Sequence, residues 1–237
     1  MKKILTAALL GLSLNSFADN APLWLRFSAI SPDGQTIAFS YKGDIFSVPV
    51  NGGTAKQLTT NSAYDAYPVW SPDGQKIAFA STREGSMDVY LMDKNGGVPK
   101  RLTTNSGSET PMAFTDNSHV LFTSAGMPTA KSIFFASGTF PQTYEVGIDA
   151  SRPRLYSPMT MYDVSIRSNG DILYHDAKGY EDNFRKHHRS PVTRDIWLYS
   201  KGNYTKLTDF NGEDRTPVWA GNDNAYYYLS EEDGTFN

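Results

Sequence analysis

The phrase PVWSPDGQKIAFAS, residues 68–81, constrains the fold more than any other stretch. An apolar run ends at Trp70, Asp73-Gly74 supplies turn chemistry, and Ile77, Ala78 and Phe79 open a second apolar run. This is a β-hairpin with its turn written in. The phrase occurs earlier as SPDGQTIAFS from Ser31, and returns in more divergent form as FTDNSHVLFT from Phe114, RSNGDILYH from Arg167 and AGNDNAYYYLS from Ala220. The equivalent turn residues Asp33, Asp73, Asp116, Asn169 and Asn222 are spaced by 40, 43, 53 and 53 residues. A repeat of that length, rich in β-branched and aromatic runs and lacking a sustained 3.6-residue pattern, predicts an all-β propeller of four-stranded blades rather than a helical solenoid.

Blade one is expected to use Leu23–Ile30, Thr36–Tyr41, Asp44–Val50 and Ala55–Thr59, and blade two Tyr67–Trp70, Lys76–Ser81, Asp88–Met92 and Lys100–Thr103. Asn51-Gly52-Gly53 and Asn95-Gly96-Gly97 reverse the chain before the outer strand, where glycine takes positive φ without penalty. The outer strands share a phrase: KQLTT from Lys56, KRLTT from Lys100 and TKLTD from Thr205. Blade three keeps Val120–Ser124, inserts GMPTAKSIFFASGTFPQ and resumes at Tyr144–Ile148, while blade four keeps Ile172–His175, inserts DAKGYEDNFRKHHRSPVTR and resumes at Asp195–Tyr199. Both insertions join second to third strands, so one face is elaborated and the face bearing the SPDG and NGG turns is plain. A fifth copy offers Thr216–Trp219 and Ala225–Ser230, and the sequence ends at Asn237. About four and a half blades are therefore expected, over residues 19–237, as the front of a longer protein.

Residues 1–18 carry Lys2 and Lys3, an apolar core from Ile4 to Leu14 and the small-residue site Ser16-Phe17-Ala18, the pattern of a cleaved secretory leader. The apolar core is about half the length of a spanning helix, and no later stretch is long and apolar enough to cross a bilayer. Removing the leader takes the formal charge from −3 to −5, which disfavours non-specific binding to nucleic acid. There is no cysteine, and stacked repeats need no disulfides. Periplasm or cell envelope is the expected location.

SPDGQKIAFAS followed by DVYLM, NGG and KRLTT resembles the propeller repeats of TolB and of tricorn-type proteases. GYEDNFRKHHRSPVTRDIWLY from Gly179, with GEDRTPVW from Gly212 and YYYLSEEDGTFN from Tyr226, is similar to the bacterial tricorn protease homologues. The resemblance implies a six-bladed N-terminal propeller, followed by further domains and a serine-peptidase core. No residue of that core has a counterpart in this sequence, so no catalytic residue is assigned. The function expected is a propeller that filters or steers peptides toward a catalytic core carried by the missing C-terminal part of the polypeptide. The alternatives are a non-enzymatic TolB-like scaffold binding envelope proteins, and the propeller of a prolyl-oligopeptidase-type hydrolase.

Site candidates are few. There is no GxSxG motif, no phosphate loop and no HExxH or comparable metal spacing, so neither a metal nor a cofactor is expected. The second insertion holds Arg185, Lys186, His187, His188, Arg189 and Arg194, a cationic stretch suited to peptide or partner carboxylates; the same charges also suit ion pairs with neighbouring blades. Asp65, Glu109 and Asp214 stand just before Pro68, Pro111 and Pro217 near the channel mouth, either as a partial ring of carboxylates or as acceptors for turn NH groups. Trp70 and Trp219 are read as packing between blades. His119 occupies the place of Lys76, a solvated strand position, and His175 begins the second insertion.

Overall fold

Each hairpin phrase becomes the first two strands of one sheet, and its serine and aspartate lock the turn. Ser31 Oγ donates to Asp33 Oδ1 (2.5 Å) and accepts from the Thr36 N–H (2.9 Å), while Asp33 Oδ1 also accepts from the Gln35 N–H (3.0 Å). Ser71, Asp73, Gln75 and Lys76 repeat the arrangement in the next blade. Gly34 and Gly74 close these turns at φ of +69° and +65°, where a side chain is strained. The serine hydroxyls and backbone N–H groups hold the Asp33 and Asp73 carboxyls below their ordinary pKa.

The computed structural model describes residues 24–125, 141–178, 192–221 and 224–234. Blade 1 is β1 (Arg26–Ile30), β2 (Thr36–Tyr41), β3 (Asp44–Pro49) and β4 (Lys56–Gln57). Blade 2 is β5 (Asp65–Trp70), β6 (Lys76–Glu84), β7 (Ser86–Asp93) and β8 (Lys100–Arg101). Blade 3 is β9 (Glu109–Asp116), β10 (His119–Ser124), β11 (Gln142–Gly147) and β12 (Arg154–Ser157). Blade 4 is β13 (Tyr162–Ile166), β14 (Ile172–His175), β15 (Ile196–Ser200) and β16 (Asn203–Lys206); β17 (Asp214–Trp219) and β18 (Tyr226–Ser230) form a two-stranded sheet in the fifth place. All neighbours in each sheet are antiparallel and consecutive in the chain, the meander expected of a blade. Among the described residues no helix is long and apolar enough to cross a membrane. The predicted leader, residues 1–18, lies outside the described residues.

Alternation along each second strand explains why blades stack. Ile77 and Phe79 face blade 1 and pack with Ala38, Ile45 and Leu58, whereas Ala78 between them faces blade 3 and packs with Phe114, Val120, Phe122 and Tyr144. Blade 3 in turn gives Leu121 to a cluster with Met161, Ile172 and Tyr174 of blade 4. A strand with two buried faces reads as a continuous apolar run, which is why IAFA and VLFT carry no polar alternation. Trp70 adds a polar tie to this packing, its indole N–H donating to Ala29 O across the blade boundary (3.1 Å). At the outer sides of the arc Ile30, Tyr227 and Leu229 stay exposed.

The outer strands are shorter than the sequence suggests, for a physical reason. In blade 1 both Leu58 N and Thr59 N turn onto Ile45 O, and Thr59 Oγ1 accepts the Ile45 N–H (3.0 Å), so a side chain replaces the next rung of the ladder. Thr103 serves Val89 N (2.9 Å) and Thr208 serves Ile196 N (3.0 Å) in the same way. The shared LT phrase is thus a side-chain cap on the third strand, with its leucine buried beside it in blades 1 and 2. Thr103→Val keeps the volume but orphans the buried Val89 N–H, and is expected to cost about 1–3 kcal/mol. Denaturant unfolding measures this, with the exposed Thr104→Val as the silent comparison.

Candidate functional site

The inner strands β1, β5, β9 and β13 stand side by side around the propeller axis and line a half-open cavity of about 440 Å³. Its walls include Phe27, Tyr67, Pro111, Met112, Tyr162 and Asp163. Four inner strands carry one device at their third position in register. Phe27, Tyr67, Asp163 and Thr216 have φ of 52°, 56°, 47° and 55°, the left-handed region that non-glycine residues avoid. The pairing of each strand with its neighbour slips at that point, between Arg26 and Ala29, Ala66 and Val69, Tyr162 and Ser165, and Arg215 and Val218. These are bulges, which re-aim a side chain locally. In β9 the position is Pro111, whose ring forbids positive φ. The rings of Phe27 and Tyr67 meet at 3.9 Å between centroids, tilted by 36°. A second hollow, of about 650 Å³, lies on the plain face between the two SPDG turns, with Asp33, Lys56, Trp70 and Lys94 in its walls.

Asp65, Glu109 and Asp214 are the first residues of β5, β9 and β17, at the end of the inner strands nearest the elaborated face. Their side chains are buried between blades, not open to the channel. Asp65 takes an ion pair from Arg83 (2.7 Å), which reaches back from the lengthened β6–β7 hairpin and lies over the rings of Phe79 and Tyr90. Both oxygens of Glu109 face a buried environment without a hydrogen bond, beside Asp88, Thr103 and Asn105. Burial pushes its pKa up to about 7, against the smaller opposing pull of Thr103. Both Asp214 oxygens are likewise without a hydrogen bond, while its N–H donates to Arg194 O (3.0 Å). In blades 1 and 4 the same register position holds Leu25 and Met161.

The cationic candidates divide. Arg185, Lys186, His187, His188 and Arg189 lie outside the described residues. Arg194 is described, and its guanidinium is ion-paired with buried Glu213, tying blade 4 to the fifth place. Lys178 pairs with buried Asp195, which Lys206 also contacts at 2.9 Å. His175 is buried under the ring of Tyr162 and accepts from the Thr216 N–H (3.3 Å) at Nδ1, 3.6 Å from Asp163 Oδ2. Burial pushes its pKa down to about 4. His119 is half-buried, its ring nitrogen 3.0 Å from the Asp116 carboxylate. Among the described residues no group of three or more His, Asp or Glu is placed to hold a metal.

Sequence reasoning missed Arg83, Asp163 and the bulged position. Gly85, at φ +101° in STREGSMD, was the available sign of the longer β6–β7 hairpin. Nothing marks the bulge, because Phe, Tyr, Asp and Thr in turn occupy it.

With the stacked blades and inner-strand channel in place, the comparison with known proteins is decisive at the level of family. Residues 22–237 match the tricorn protease N-terminal beta propeller domain. The chain belongs to that family. It is 28% identical over 219 residues to tricorn protease homolog 1 of Streptomyces coelicolor, covering 91% of this chain and 19% of that protein. The crystal structure of the tricorn protease superposes with a TM-score of 0.69 at 21% identity, over 90% of this chain and 20% of the other. A putative TolB from Agrobacterium tumefaciens gives a TM-score of 0.62 at 24% identity, over 85% of this chain and 72% of the other. The chain thus spans about a fifth of the tricorn relatives it matches, and shares its blade architecture with TolB.

The tricorn-family propeller should show two opposed proton linkages. Glu109 is raised from 4.5 to about 7 in the folded state, so its contribution is complete below pH 4.5 and is lost as pH climbs to 7. His175 is lowered from 6.5 to about 4, so its contribution is present above pH 6.5 and is lost as pH falls toward 4. Glu109→Gln removes the first linkage. Relative to wild type its stability is expected to rise between pH 5 and pH 8, by up to about 3 kcal/mol. Thermal or urea unfolding across that range checks the sign.

Proposed function

We propose that this propeller is the N-terminal portion of a secreted tricorn-type serine peptidase, where it filters or steers peptide segments toward a catalytic core elsewhere in the polypeptide. The observation that carries the reading is the axial cavity, walled by side chains from four blades and set in a chain that matches the tricorn propeller over residues 22–237. A channel built from inner strands admits an extended segment and excludes a folded domain, so it selects by chain state. The apolar and aromatic walls, Phe27, Tyr67, Pro111, Met112 and Tyr162, offer surface to side chains, while Thr110 and Thr123 offer hydroxyls. The leader pattern in residues 1–18 supports export, and the lack of any recognisable nucleophile with its base supports a role in access rather than chemistry.

Two measurements test the proposal. The 237-residue chain alone is expected to show no turnover of fluorogenic peptides. In the longer polypeptide, Met112→Trp narrows the cavity and is expected to lower kcat/KM for long peptides about tenfold while leaving a dipeptide reporter unchanged, a loss of about 1.4 kcal/mol in access. Equal kinetics for long peptides in both proteins would overturn the filter.

A further inference from the structure

We infer that the axial cavity receives the side-chain cation of a Lys or Arg residue in an extended peptide, with Asp163 as its counter-charge. The inference rests on the peptide-filter reading and adds the class of side chain selected. Asp163 is the one Asp, Glu, Lys, Arg or His among the described residues that line the cavity, so the lining carries a single negative charge amid aromatic rings. Its backbone sits in the left-handed region at the bulge of β13, and the side chain is about half exposed. Oδ2 is fixed by the Thr216 hydroxyl at 2.8 Å.

Three of the neighbouring bases, His175, Arg194 and Arg26, are engaged otherwise. His175 approaches Asp163 at 3.6 Å, but its Nδ1 accepts the Thr216 N–H, and burial keeps the ring neutral at pH 7. Arg194 is held by Glu213, and Arg26 lies over the Trp24 ring at 5.3 Å. Tyr67 and Tyr162, both raised above the ordinary phenol pKa by burial, stay neutral and add no charge to the lining. Hydroxyls of Ser28, Thr110 and Thr123 in the same lining can accept the remaining N–H groups of an ammonium or guanidinium. An anionic side chain entering the cavity meets Asp163 with no cation in the lining to receive it.

The test uses three dansyl-labelled peptides of equal length, N-acetylated and C-amidated, that differ in carrying Lys, Gln or Glu at the same central positions. Binding to the full chain is read by fluorescence anisotropy near physiological salt. The Lys peptide is expected to bind about tenfold more tightly than the Gln peptide, and the Glu peptide most weakly. Asp163→Asn keeps an oxygen for the Thr216 hydroxyl while removing the charge, and should bring the Lys peptide to the level of the Gln peptide, whose affinity stays unchanged. Thr216→Val breaks the hydrogen bond but keeps the charge, and should retain the Lys preference. Equal binding of all three peptides, or a Lys preference that survives Asp163→Asn, overturns the charge selection and leaves the peptide filter standing. Binding of none of the three overturns both.

Discussion

Burial of both faces of each blade against its neighbours is the constraint on which the rest of the molecule depends. Phe79 points to one neighbour and Ala78 to the other, and both are fully buried. A single four-stranded sheet has no partner for either face, so stability is shared along the array through nearest-neighbour contacts. This requirement fixes the spacing of the repeat and the apolar second strand. It also calls for a side-chain acceptor where the third strand runs beyond its outer partner, a place filled in turn by Thr59, Thr103 and Thr208.

The same requirement draws charge into the seams. At equivalent inner-strand starts, Asp65 is neutralised by Arg83, Glu109 retains a proton to about neutral pH through burial, and Leu25 and Met161 avoid the problem with apolar side chains. One architectural position is therefore served by different chemistries from blade to blade. The cations of the described part of the second insertion are engaged too: Lys178 by Asp195 within blade 4, and Arg194 by Glu213, which ties blade 4 to the fifth place.

The sequence reveals the blades because the hairpin turn and the apolar second strand are local signals. Thr36–Tyr41 and Ile172–His175 match the structure residue for residue. Other boundaries shift where tertiary contacts decide them. Blade 2 extends to Glu84 and Ser86 because Arg83 closes onto Asp65, and β4 ends at Gln57 because Thr59 caps Ile45. The outer strand of blade 3, Arg154–Ser157, lacks the LTT phrase and is secured instead by Arg154 on Glu145. The candidate site was legible only in outline. Burial of Asp65, Glu109 and Asp214 depends on how the next blade docks, and Asp163 gains its place from a backbone twist that aspartate does not announce.

The left-handed residues have a further consequence for what the channel can hold. The free edges of the inner strands border the axis, and a regular edge is a template onto which any extended peptide can add as another strand. Displacing one residue in each of β1, β5, β13 and β17 breaks the spacing of the unpaired N–H and C=O groups that such addition needs. Proline at position 111 does the same in β9 by removing a donor. On the proposed filter reading, a peptide in the channel would thereby be kept from zipping onto its wall and would be read by its side chains while its main chain stayed free to slide.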